Sequence, residues 1–120
     1  MTPQEIFDKA VSTILAQGGP SFDGERCLYR GSNGSVCAIG ALIPDSLAEI
    51  GDSTVMGVRR LSKEPDFPAH LQDHLRLLRR LQTAHDNAVG AYFMENFLNS
   101  AHRAARDFNL TFNYEIPNAR

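Results

Sequence analysis

The chain has 120 residues, 42% of them hydrophobic, with 14 acidic side chains against 12 basic ones and a formal charge of -2. That length suits one domain, and the near-balanced charge excludes binding driven by bulk attraction to a nucleic-acid polymer or an anionic membrane. No apolar run approaches the ~20 residues of a membrane span and the opening residues carry no signal-peptide pattern, so a cytoplasmic protein is expected.

Thr2-Pro3-Gln4-Glu5 is a helix start, with a capping threonine, a proline for the first turn and a carboxylate placed to reach back. Ile6, Ala10, Val11, Ile14 and Leu15 then recur at helical spacing until Gly18-Gly19-Pro20 stops the helix. Residues 21–26 read as a polar loop. Cys27 to Arg30 reads as a short strand turning through Gly31-Ser32-Asn33-Gly34. Val36 to Ile43 fits either a helix face or the hairpin's return strand, and Pro44 ends either one. Ser46-Leu47-Ala48-Glu49 is a second capping-box pattern, which Gly51 limits to about one turn. A loop follows, with a short helix near 55–61. Pro68 opens a long helix to about His85 with Leu71, Leu75, Leu78 and either Leu81 or Gln82 inward. Another runs from about Gly90 to Asp107, with Phe93, Phe97, Leu98, Ala101, Ala104 and Phe108 inward. Asn109 suits a left-handed position past its end. In the tail, Leu110, Phe112, Tyr114 and Ile116 alternate with polar residues, a strand pattern that needs a partner. The expected fold is a single α+β domain spanning 1–120. Three main helices pack with a small antiparallel β-hairpin, which the C-terminal strand extends.

The two cysteines make no disulfide framework. With a two-residue Asn33-Gly34 turn, Arg30 lies opposite Cys37 and Gly40 opposite Cys27, so the cysteines fall on opposite faces and two thiols are expected.

Arg26 to Asp45 is the densest window of special residues, and its glycine-flanked hairpin is the first candidate site. Backbone amides near the tip and the Arg26 and Arg30 guanidiniums suit phosphate oxygens, and Tyr29 suits stacking on a base. A plain turn with solvated arginines explains the same residues. Cys37 is a candidate nucleophile if a helix N-terminus or His85 lowers its pKa, against the alternative of a buried, inert thiol. His85-Asp86 matches the dyad of metal-dependent phosphohydrolases of the HD type. His70 or His74 and Asp107 would have to complete that set, whereas a helix C-terminus alone favours a histidine there. His70-x-x-x-His74 would share one helix face at a zinc-compatible spacing, without a third ligand. Arg76, Arg79 and Arg80 share a helix face that could clamp an anion, with Arg59 and Arg60 near in sequence; a solvated face is the alternative.

Arg26-Cys27-Leu28-Tyr29-Arg30, Gly34, Cys37-Ala38-Ile39-Gly40, Leu42-Ile43-Pro44-Asp45, and Leu81-Gln82 with His85-Asp86 together resemble a family of small phage and prophage proteins. The resemblance covers most of the first 86 residues and implies a setting, the cytoplasm of a bacterial host. It carries no established activity. By analogy with small phage proteins that defeat host immunity, it implies a homo-oligomeric, non-enzymatic binder that sequesters a nucleotide-type signal, a cyclic nucleotide or cyclic ADP-ribose. The ligand residues would be Arg26, Tyr29, Arg30, Cys37, His85 and Asp86, with no cofactor and no metal. A hydrolase of such a ligand using His85-Asp86 or Cys37, and a protein-interaction inhibitor that adds its tail strand to a host factor, are the alternatives.

Overall fold

The computed structural model describes residues 1–22, 27–31, 34–88 and 90–117. Among these, five α-helices follow one another: α1 (Pro3–Gln17), α2 (Asp45–Ser53), α3 (Val58–Leu61), α4 (Leu75–Asp86) and α5 (Phe93–Asp107). The start of α1 follows from its sequence. The Thr2 hydroxyl accepts from the Glu5 N–H at 3.1 Å and the Thr2 N–H donates to the Glu5 carboxylate at 2.8 Å. Gly18 ends the helix in the left-handed region at φ 83°, returning its N–H to the Ile14 carbonyl. Asn109 takes the left-handed position after α5, at φ 57°. The core is made where α1, α4 and α5 meet. Ile6, Phe7 and Ile14 pack there with Leu78, Leu81, Phe97 and Leu98, all fully buried. Each such side chain contributes roughly 1.5–3 kcal/mol of burial. No helix among the described residues is long and apolar enough to cross a membrane.

The expected α+β architecture is not what forms. The described residues contain no β-strand, and only two isolated antiparallel bridges remain, Phe22 with Cys27 and Arg30 with Val36. Arg30 therefore pairs with Val36 rather than Cys37; part of the expected turn, residues 32–33, lies outside the described residues. The hairpin stops at one bridge because side chains take the backbone groups that a ladder would use. Tyr29 and Arg30 donate their N–H groups to the two oxygens of Asp52 on α2, at 2.8 and 3.0 Å. Gln17 bonds both polar groups of Val36, at 2.7 and 2.9 Å. Beyond Val36 the chain enters a short 3₁₀ turn at Gly40–Leu42, so the ambiguous 36–43 segment is neither return strand nor α-helix.

The tail departs in the same way. Leu110, Phe112, Tyr114 and Ile116 alternate with exposed residues as anticipated, but they lie against helices instead of extending a sheet. The Gln4 side-chain amide acts as the neighbouring strand, accepting from the Thr111 N–H at 2.8 Å and donating to its carbonyl at 3.0 Å. Tyr114 donates to the Asp8 carboxylate at 2.7 Å, and the Phe112 ring stacks on His102 at 4.6 Å.

Two helix boundaries also differ from expectation. Gly51 does not end α2, which runs on to Ser53. A Cβ at Gly51 would sit 2.9 Å from the Tyr29 ring, so this glycine is where α2 lets the ring in. The expected 68–85 helix is divided, with a 3₁₀ segment at Ala69–His74 preceding α4. At three residues per turn, positions four apart lie about 120° around the axis, so His70 and His74 do not share a face.

Candidate functional site

In the central block, Tyr29 and Arg30 are both enclosed by their own chain. The Tyr29 ring is buried beside Gly51 and Leu61, and its hydroxyl donates to the Met56 carbonyl at 2.7 Å. Its ring lies in the core, away from any approaching base. The Arg30 guanidinium donates through Nε to Asp45 at 2.9 Å, through one terminal nitrogen to the Tyr29 and Gly40 carbonyls, and through the other to the Ile43 carbonyl at 2.8 Å. Four of its five N–H donors are thus engaged. A Cβ at Gly40 would run into the Tyr29 carbonyl, which explains the glycine of Cys-Ala-Ile-Gly without a ligand. Arg26 lies outside the described residues.

Cys37 is fully buried, and its sulfur accepts the Gly40 N–H at 3.3 Å. Burial pushes its thiol up to about 12, outweighing the backbone hydrogen bond that favours the thiolate. It is a thiol at neutral pH, the wrong state for a nucleophile.

His85, at the end of α4, is also fully buried. Its Nε2 accepts the Ser21 N–H at 3.1 Å, which leaves the proton on Nδ1 to be donated to Asp86 at 3.0 Å. With both ring nitrogens engaged, the imidazole has no lone pair ready to take a proton. Gln82 joins this end of α4 to the central block, donating to Asp86 at 2.7 Å and accepting from the Ile39 N–H at 3.2 Å. The two segments that carry the family resemblance therefore meet in space. The partner that brings His85 and a thiol together is Cys27, not Cys37: the sulfur, a ring nitrogen and an Asp86 oxygen lie within 4.8 Å of one another. Spacing gave no signal for this, because the contact depends on how Ser21 and Cys27 come to lie beside the end of α4.

The arginines of α4 present a different picture. An open groove of about 710 Å³ is lined by Arg76, Arg79, Arg80, Thr83, Asp107 and Phe108. Arg80 pairs with Asp107 at 2.7 Å, and the Arg76 guanidinium lies 5.9 Å from the Phe108 ring centre. Arg79 is exposed, and its side chain makes no hydrogen bond or ion pair with a described residue. Arg59 and Arg60, on α3, do not line the groove. Thr83 and Phe108 carried no site signal in the sequence, and Asp107 stood only as a candidate for the HD-type set; the arginine spacing marked one wall, and nothing local marked the other. A second hollow, of about 580 Å³, lies between the end of α1 and Gly34-Ser35. Its described lining holds no cation, and it faces the carbonyl end of a helix, which disfavours an anion.

Comparison of the chain with protein-family models, curated proteins and solved structures found no match.

Proposed function

We propose that this chain is a non-enzymatic binder of a small phosphate-bearing ligand of the nucleotide type, held in the groove between α4 and α5. The observation that carries this is the convergence of three guanidiniums, with a single carboxylate, on a groove of about 710 Å³. That volume falls within the ~300–1,000 Å³ range of small-molecule sites. Guanidinium forks match phosphate oxygens in geometry and keep their charge at every physiological pH. Phe108 adds an aromatic ring to the lining beside them. The one carboxylate among the groove's described lining residues is already bonded to Arg80, which favours holding a ligand over cleaving it.

The central block then serves as scaffold, and the ligand role moves from Tyr29 and Arg30 to Arg76, Arg79 and Arg80. A phage setting and a host-defence signal as ligand, a cyclic nucleotide or cyclic ADP-ribose, belong to this proposal through the resemblance described above. So does a homo-oligomer, in which a second copy would close the open side of the groove.

Calorimetry with a panel of cyclic nucleotides and ADP-ribose isomers tests the proposal, alongside recovery of the ligand after heating out the protein. Binding that weakens in Arg79→Ala, with intact ligand recovered, is the expected result. No heat with any member of the panel overturns it, and recovery of products turns the binder into an enzyme.

A further inference from the structure

We propose that Cys27, His85 and Asp86 form a binding site for a thiophilic divalent cation, zinc foremost. Three donors of different kinds, a thiol sulfur, an imidazole nitrogen and a carboxylate oxygen, already lie within 4.8 Å of one another. Tetrahedral zinc, with bonds of about 2.0–2.3 Å, needs its ligands roughly 3.3–3.7 Å apart. The His85 Nδ1 to Asp86 distance of 3.0 Å nearly meets this, and from within 4.8 Å the sulfur has to close by at most about 1.5 Å. Sulfur with imidazole and a single carboxylate suits zinc and other thiophilic ions rather than magnesium or calcium, which take oxygen shells.

The donors are held by separate parts of the fold. Burial and an edge-on contact with Phe93, at 5.4 Å, hold the His85 ring in place. Cys27 is brought in by its bridge to Phe22 and by the Leu28 N–H bonded to the Ser21 carbonyl at 2.9 Å. The Asp86 side chain is 41% exposed, so the site opens to water on that side, where the ion enters and a fourth ligand can come from solvent. The site shares no residue with the arginine groove and stands independently of the ligand proposed there.

Binding has a definite proton balance. The ion takes the place of the proton between Nδ1 and Asp86, and that proton moves to Nε2. The Cys27 thiol loses its proton to solvent, so one proton is released per ion. The new Nε2–H then faces the Ser21 N–H, and the hydrogen bond between them must break. Metal binding and the Ser21 bond exclude each other, which makes the Ser21 amide a reporter.

The test is titration of the metal-stripped full-length protein with Co²⁺, followed by Zn²⁺. One equivalent per chain should produce a thiolate-to-cobalt charge-transfer band that Zn²⁺ bleaches. Zinc should also shift the Ser21 amide resonance and protect Cys27 from alkylation. Cys27→Ser should abolish the charge-transfer band. Asp86→Asn changes an exposed residue whose amide oxygen can still accept from His85, so the fold should survive; it should weaken zinc binding by about tenfold or more. Circular dichroism checks that both variants are folded. Absence of the band, its persistence in folded Cys27→Ser, or an unmoved Ser21 amide at saturating zinc overturns the proposal.

Discussion

Arg30 lies where acceptors of its own chain surround the guanidinium, whereas the Arg79 side chain stands on α4 with no bond to a described residue. Both are arginines beside glycines or leucines in sequence, and only their surroundings separate them. Arg30 is a buckle: it ties the Tyr29–Arg30 segment to the 40–45 turn through charge-assisted hydrogen bonds. Arg79 is held in reserve on a groove wall, next to a neighbour that already has its carboxylate. A dense patch of special residues is therefore no guide to a ligand when those residues satisfy one another.

The strongest way to break the comparison is Gly40→Ala, because a Cβ there meets the Tyr29 carbonyl and the Arg30 guanidinium at once. Urea unfolding should show a loss of about 3 kcal/mol or more, the upper end for overpacking. Arg30→Ala should follow at about 2–3 kcal/mol, since it strands the Gly40 and Ile43 carbonyls. If either variant unfolds within ~0.5 kcal/mol of the parent, the buckle is not structural. Arg79→Ala is the counterpart on the groove. Its unfolding should stay within about 0.5 kcal/mol of the parent, while affinity for the phosphate-bearing ligand should fall roughly tenfold, or about 1.4 kcal/mol.

Alkaline pH sharpens the contrast further. The folded chain raises the Cys37 thiol from 9.0 to about 12, so it holds that proton more tightly than the unfolded chain does. The resulting stabilisation is complete below pH 9.0 and is lost as pH rises from there toward about 12, by at most about 1.4 kcal/mol per pH unit. Cys37→Ala should flatten the first part of that decline in a stability-against-pH series. The smallest effect belongs to Gln4→Ala, which removes both bonds to Thr111. It should cost about 1 kcal/mol or less and appear as faster hydrogen exchange at Thr111.

The helices were the most legible part of the fold. Thr2 and Glu5 announce the start of α1, and the apolar spacing of α5 places Phe97, Leu98 and Ala101 in the core. The tail was half legible, because its alternation appears in the burial of Leu110, Phe112, Tyr114 and Ile116 while its partner does not. The hairpin misled for a physical reason. A strand pattern reports which side chains can face a core, and it says nothing of whether Asp52 or Gln17 will occupy the backbone groups first. Of the candidate sites, the arginine spacing on α4 was visible, whereas the wall supplied by Asp107 and Phe108 was not.

By itself, the sequence determined the capped start of α1, the buried faces of the main helices and the two-residue rhythm of the tail, because those follow from interactions among near neighbours. Only the tertiary structure decided that the hairpin would shrink to single bridges, that Arg30 would be enclosed and Arg79 open, and that Cys27 would meet His85. Each of those outcomes depends on side chains from distant segments competing for the same hydrogen-bonding groups, and local pattern carries no record of that competition.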